Sequence, residues 1–165
     1  MLSEMSNKAV FFDRDGTINH NGDYYVFTPD RFILNPGVGE TLGELSRRGY
    51  LLFIISNQSG IAKGLYGNKE VEVVHERMKE LLQPYGVLIT DIMWCSHHPD
   101  SGRCLCRKPS PLLIQRMLAR YGVDPSKSFM VGDMQRDIDA GTAAGLSGIL
   151  VEANSDISPI LKMIP

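Results

Sequence analysis

Ala9-Val10-Phe11-Phe12-Asp13-Arg14-Asp15-Gly16-Thr17 is a short apolar run that ends abruptly in charge. Four apolar residues running into an acidic, glycine-containing turn read as a buried strand that stops at the edge of a sheet. In extended backbone, residues i and i+2 project to the same side, so Asp13 and Asp15 face one site while Arg14 faces away. Two carboxylates held close resist both being ionised, and their proton affinities separate. One can then serve as a nucleophile or metal ligand while the other carries a proton. Gly16 permits a sharp turn behind them. Taken alone, the same residues also suit a polar turn closing a strand.

Outward from this stretch, strands and helices alternate. Apolar runs at Tyr50–Ile55, Val87–Trp94, Phe129–Val131 and Gly148–Val151 read as further strands. Helical spacing marks Val38–Arg48, Glu70–Tyr85, Ser110–Tyr121 and Arg136–Ala144, with Gly49 and Gly145 placed to end the first and last, and the tail has room for one short helix. Such alternation predicts an α/β fold, a Rossmann-like three-layer arrangement with a mostly parallel sheet between helices. No repeat, low-complexity tract or linker divides the chain, so residues 1–165 are expected to form a single domain. Three long irregular pieces remain, Asn19–Pro36, Ser56–Asn68 and Ser96–Pro109. In open parallel sheets ligands bind beyond the carboxyl ends of strands, and each polar motif here follows a predicted strand.

Composition narrows the function classes. The chain has 165 residues, 43% hydrophobic and 22% charged, with a formal net charge of −2. That balance is globular, and it provides no basic excess for a nucleic-acid partner. The longest apolar run is too short to cross a bilayer, so no membrane partner is expected. The N-terminal apolar stretch is broken by Asp13-Arg14-Asp15 and does not read as an export signal, which makes the cytoplasm the expected location. A monomer is expected. Three cysteines in such a chain argue against a disulfide framework.

Those cysteines cluster in Cys95-Ser96-His97-His98-Pro99-Asp100-Ser101-Gly102-Arg103-Cys104-Leu105-Cys106. Two-residue spacing puts Cys95 and His97 on one side of an extended chain, and Cys104 with Cys106 likewise. Pro99 and Gly102 lie where the chain must reverse. Four such ligands suit a structural Zn²⁺, and His98 would point the other way. Arg107 and Lys108 follow at once, offsetting the surplus thiolate charge and presenting two cations to the site. Arg107 is able to grip an anion through two parallel bonds, and a solvated basic pair is the plainer reading of the two cations. Ser56-Asn57-Gln58-Ser59-Gly60 follows the second strand, where a hydroxyl and backbone N–H groups can hold phosphate oxygens. Gly132-Asp133 follows another strand, and Asp137 either braces that site or favours the start of the next helix.

Asp13-x-Asp15-Gly16-Thr17, Ser56, Lys108 and Asp133 together resemble the four motifs of haloacid-dehalogenase-like phosphatases. The resemblance implies that Asp13 attacks phosphorus to give an aspartyl-phosphate, and that Asp15 is the acid–base partner. It further implies that Ser56 and Lys108 hold the phosphoryl group, and that Asp13, Asp133 and the backbone carbonyl of Asp15 hold Mg²⁺. The zinc loop, the Ser59-Gly60-Ile61-Ala62-Lys63-Gly64 stretch and Cys106-Arg107-Lys108-Pro109 closely resemble the D-glycero-D-manno-heptose 1,7-bisphosphate 7-phosphatases, which act on a small phosphorylated sugar in heptose supply for surface glycans. Histidinol-phosphate phosphatases share the zinc loop but resemble Ser59–Gly64 less. These relatives lack a large cap domain, and no stretch here is long enough to form one. By the same resemblance Asn21, Gly22, Asp23, Tyr24, Asn57, Gln58, Ser59 and Arg107 contact substrate. Met134 departs from the pattern, since relatives commonly carry Lys or Arg there. A non-catalytic, zinc-stabilised binding module is the reading from another class, and the joint presence of Asp13, Asp15, Lys108 and Asp133 speaks against it.

Overall fold

The computed structural model describes residues 7–22 and 24–165. Five strands form one sheet: β1 (Ala9–Phe12), β2 (Leu51–Asn57), β3 (Asp91–Cys95), β4 (Phe129–Gly132) and β5 (Ser147–Leu150). Their order is β3-β2-β1-β4-β5, and every neighbouring pair is parallel. The helices are α1 (Val38–Arg47), α2 (Asn68–Leu82), α3 (Leu112–Tyr121) and α4 (Gln135–Ala143). No helix among the described residues is long and apolar enough to cross a membrane.

Alternation along β1 builds the three layers. Val10 and Phe12 enter one core cluster with Leu42 and Leu45 of α1, Val74 and Met78 of α2, and Ile160 and Ile164 of the tail. Ala9 and Phe11 enter the opposite cluster with Ile114 and Met117 of α3 and Ala140 of α4. All four β1 residues are fully buried, as a central strand covered on both faces requires. The strand order reverses at β1, between β2 and β4, so a crevice opens beyond its carboxyl end at Asp13.

Two strands differ from the sequence reading. β3 starts at Asp91 rather than Val87: Ile89 and Val87 pack on the core, but strand pairing begins only beyond them, near Thr90, whose N–H donates to the Leu52 carbonyl. β2 runs two residues beyond Ile55, because β3 extends to Cys95 opposite Asn57. Ser56 is therefore fixed on a strand rather than held in a loop. The tail carries a 3-10 turn at Ser158–Lys162.

Candidate active site

The crevice holds a cleft of about 230 Å³ lined mainly by polar side chains, a size suited to a small polar ligand. Asp13, at the end of β1, and Lys108 meet at its floor. Lys108 Nζ donates to Asp13 Oδ1 at 2.6 Å and to the Ile55 carbonyl at 2.7 Å, and it pairs with Asp137 Oδ1 at 2.8 Å. Lys108 and Asp137 are each 1% exposed. Asp137 also accepts from the Met134 N–H at 3.1 Å, so it both braces Lys108 and caps α4.

Asp13, Asp133 and Asp137 each offer a carboxylate oxygen, all within 4.8 Å of one another. Gly16, with φ of 91°, lets Asp133 close over the turn: a Cβ there would lie 2.5 Å from Asp133 Oδ2. Thr17 Oγ1 donates to Asp133 Oδ1 at 3.1 Å. Burial pushes the Asp13 carboxyl up to about 8, with Asp137 and Asp133 adding to the rise and Lys108 opposing it. Burial also works against the charge on Lys108, but Asp13 and Asp137 outweigh it and hold the lysine above its ordinary value. Both shifts are upward: the ammonium stays charged, while burial and then the neighbouring carboxylates work against the charge on Asp13. With Asp13 ionised, as a metal ligand must be, three carboxylates against one ammonium leave two negative charges, which one divalent cation neutralises. The carbonyl of Asp15 accepts no hydrogen bond among the described residues, and this all-oxygen donor set fits a hard cation such as Mg²⁺.

Asp15 stands beside this floor, saturated with donors. Arg14, fully buried, wraps back onto it: Nη2 lies 2.9 Å from both carboxylate oxygens and Nε 3.2 Å from Oδ1. The sequence reading turned Arg14 away from the site, but its guanidinium lies on the Asp15 carboxylate. Asn19 Nδ2 adds a bond at 3.0 Å and Gln58 Nε2 one at 2.9 Å. Behind Arg14, Nη1 meets His75 Nε2 at 3.4 Å. Burial, with the Arg14 charge, pulls His75 down to about 3, so this ring is neutral.

The second cluster lies where β3 ends. Cys95, His97, Cys104 and Cys106 bring their ligand atoms within 4.8 Å of one another. Zinc–ligand bonds of about 2.3 Å to sulfur and 2.0–2.1 Å to nitrogen imply tetrahedral edges of about 3.8 Å between sulfurs and about 3.6 Å between sulfur and nitrogen. The observed edges include 3.7 and 3.0 Å between sulfurs and 3.4 and 3.3 Å from His97 Nδ1 to Cys95 and Cys106. The donor chemistry fits zinc, and three of these edges lie within about 0.3 Å of the tetrahedral values, the Cys95–Cys106 pair standing closer. His98 is not part of it; its Nδ1 accepts from the Asp100 N–H. The loop is clamped to β2 by Asn57, whose Oδ1 accepts from the Lys108 N–H at 3.0 Å and whose Nδ2 donates to the Lys108 carbonyl at 3.2 Å.

Comparison with known proteins fits this geometry. Residues 105–158 match the HAD-hydrolase-like family model. The D-glycero-beta-D-manno-heptose-1,7-bisphosphate 7-phosphatase of Rhodopseudomonas palustris is 38% identical over 94% of this chain and 89% of its own. The protein of the same name from Pseudomonas aeruginosa is 37% identical over 98% and 90%. The chain belongs to the heptose-1,7-bisphosphate 7-phosphatase family. Among solved structures, the D,D-heptose 1,7-bisphosphate phosphatase from B. bronchiseptica, complexed with magnesium and phosphate, superimposes with a TM-score of 0.83 at 32% identity, covering 97% of this chain and 89% of that one.

Within this phosphatase family's fold, Asp13, Asp15, Asn21, Tyr24, Asn57, Gln58, Ser59, Arg107 and Asp133 all line the cleft of this chain. Ser56 and Lys108 lie beneath it, each 1% exposed. Gly22 sits on the rim turn, its N–H donating to His20 Nδ1, and Asp23 falls outside the described residues. Asn21 is tied to Asn154: its backbone N–H donates to Asn154 Oδ1 at 3.0 Å and its Oδ1 accepts from Asn154 Nδ2 at 2.9 Å. The amides of Asn57 and Gln58 are engaged by protein groups rather than directed freely at a ligand. Sequence reading missed Tyr25, Lys63, Tyr66 and Arg136, which also line the cleft. Lys63 Nζ lies 5.6 Å from the centroid of the Tyr25 ring. In sequence Lys63 stood only within the Ser59–Gly64 stretch of the resemblance and Arg136 only at the start of a helix; their place on the cleft exists only once the sheet is assembled.

Proposed function

We propose that this chain is a Mg²⁺-dependent phosphomonoesterase that removes the 7-phosphate of D-glycero-D-manno-heptose 1,7-bisphosphate. The observation that carries the reading is the Lys108 ammonium held between Asp13 and Asp137 with Asp133 alongside. Mg²⁺ bound by Asp13, Asp133 and the Asp15 carbonyl would supply charge neutralisation for the phosphoryl oxygens. Asp13 attacks phosphorus and becomes phosphorylated; Lys108 and the Ser56 hydroxyl stabilise the charge that develops on the transferring group. Asp15 gives a proton to the departing sugar oxygen. It then accepts one from the water that hydrolyses the aspartyl-phosphate, and the donors from Arg14, Asn19 and Gln58 stabilise this ionised form.

A bisphosphate carries a second anion away from the reacting phosphorus. Lys63, Arg107 and Arg136 line the cleft and form no ion pair among the described residues, so their charge is available to it, with Lys63 bonded to the Tyr25 hydroxyl and Arg107 to the His97 carbonyl. Zn²⁺ on Cys95, His97, Cys104 and Cys106 would pin the loop that delivers Arg107 and Lys108. The chain acts as one cytoplasmic, monomeric phosphatase unit in this reading. Phosphate release with Mg²⁺ from heptose 1,7-bisphosphate and from histidinol phosphate tests it: the heptose bisphosphate is turned over with much the higher kcat/KM, and the reverse preference would reject the substrate assignment.

A further inference from the structure

Gln58 sits two residues beyond Ser56 and is 2% exposed, too buried for its amide to be an ordinary surface contact. Its Nε2 donates to Asp15 Oδ2 at 2.9 Å and to Ser56 Oγ at 2.6 Å. Its Oε1 accepts from the Tyr66 hydroxyl at 2.7 Å. An amide can be turned end for end, and both of its ends decide here. A carboxylate at Asp15 demands a donor, and the Tyr66 phenol supplies one to the carbonyl. Burial pushes Tyr66 up to about 12, so the phenol keeps its proton. Gly60 makes the arrangement sterically possible: a Cβ there would lie 2.2 Å from the Tyr66 ring.

The consequence falls on Ser56. Its oxygen already accepts from Gln58, so its own O–H must point elsewhere. Ser56 is 1% exposed, and its hydroxyl donates to no acceptor among the described residues. An unfilled buried donor is unfavourable unless a ligand completes it. Ser56 Oγ is bonded to Gln58, which lines the cleft, and Ser56 follows Ile55, whose carbonyl holds the Lys108 that pairs with Asp13. The free proton is thus offered at the cleft floor, where an anionic oxygen would lie beside Asp13.

We propose that Tyr66 and Gln58 are positioning residues which, through one fixed amide, aim the Ser56 hydroxyl proton at the phosphoryl oxygen and hold the Asp15 carboxylate in its working rotamer. The inference rests on the phosphatase reading above. Tyr66→Phe keeps the ring but frees the amide to turn. Inorganic phosphate, as product inhibitor of the full-length Mg²⁺-loaded protein, is the probe. Losing one hydrogen bond to a charged group predicts that the inhibition constant rises about tenfold in Tyr66→Phe, with kcat also lowered through Asp15. In a Ser56→Ala background the same substitution leaves the inhibition constant within about twofold while kcat still falls, because the hydroxyl it acts through is gone. Gln58→Met, close in shape and without polarity, gives the same pair of results should Tyr66→Phe fold poorly. Equal weakening of phosphate binding in both backgrounds, or no change in either, overturns the proposal while wild-type turnover keeps the phosphatase reading. A wild-type protein without turnover removes both.

Discussion

Replacing Asp137 by Asn separates two forces acting on one buried carboxylate. Its attraction to Lys108 at 2.8 Å is about 6 kcal/mol at an effective dielectric constant of 20. Its repulsion from Asp13 and Asp133, each within 4.8 Å, is about 3.5 kcal/mol or more per pair on the same scale. Two repulsions of that size offset the attraction, so without Mg²⁺ the substitution is expected to change stability by no more than about 1 kcal/mol. With Mg²⁺ bound the surplus negative charge is neutralised, and the loss of one partner from a buried ion pair emerges. That loss is typically about 3–5 kcal/mol, and the lower end applies because Lys108 keeps Asp13 and the Ile55 carbonyl. The difference between the two conditions equals lost Mg²⁺ binding energy, about 3 kcal/mol or roughly a hundredfold in affinity. Urea unfolding at pH 9, where Asp13 is ionised even without the metal, with and without saturating Mg²⁺ measures both stabilities, and calorimetric titration measures the affinity directly. Asn keeps the acceptor for the Met134 N–H, so Asp137→Ala should lose about 1 kcal/mol more in both conditions. Destabilisation by Asp137→Asn that is the same in both buffers would refute the charge-surplus argument.

Cys104→Ser removes one of four ligands, and elemental analysis should show about one tightly held zinc per wild-type chain and loss of it in the variant, with a lower unfolding midpoint. A zinc-free wild type of undiminished stability would contradict this. For His75 the folded value lies below the ordinary 6.5, at about 3, so the unfolded chain binds a proton that the folded chain refuses. Its contribution is present above pH 6.5 and is lost as pH falls toward 3, amounting to about 2 kcal/mol by pH 5. Stability curves of wild type and His75→Gln should therefore converge or cross by about that amount between pH 7 and 5, and parallel curves would refute it. Lys63→Ala should raise KM for the bisphosphate about tenfold, the loss of one charge-assisted contact, and leave the corresponding 7-monophosphate within about twofold; equal effects on both would place Lys63 away from the second phosphate.

Periodicity and turn residues made the layers legible, because β1 is buried on both faces and the helices bury one face each. The zinc-type cluster was legible because its spacing alone puts four soft ligands together. What escaped depended on distance in sequence or on length of side chain. Alternation predicts Arg14 facing away from Asp15, whereas its long side chain sets the guanidinium on the Asp15 carboxylate. Asn57 and Gln58 read as ligand contacts, yet tertiary structure gives their amides to Lys108, Asp15 and Ser56. Tyr66 carried a weak signal, an aromatic residue soon after a glycine in a polar loop, which gains meaning only from the close approach at Gly60. Val87–Thr90 has strand-like composition but lies before most of the partner register that β2 provides.

Covalent phosphorylation of Asp13 is the step on which the account turns. Wild-type protein mixed with heptose 1,7-bisphosphate and Mg²⁺, quenched in acid and reduced with borohydride, converts an acyl-phosphate into homoserine that peptide mass spectrometry locates. The account predicts homoserine at position 13 alone, and neither label nor phosphate release in a folded Asp13→Asn variant. Label at another residue, or turnover retained by Asp13→Asn, would contradict it.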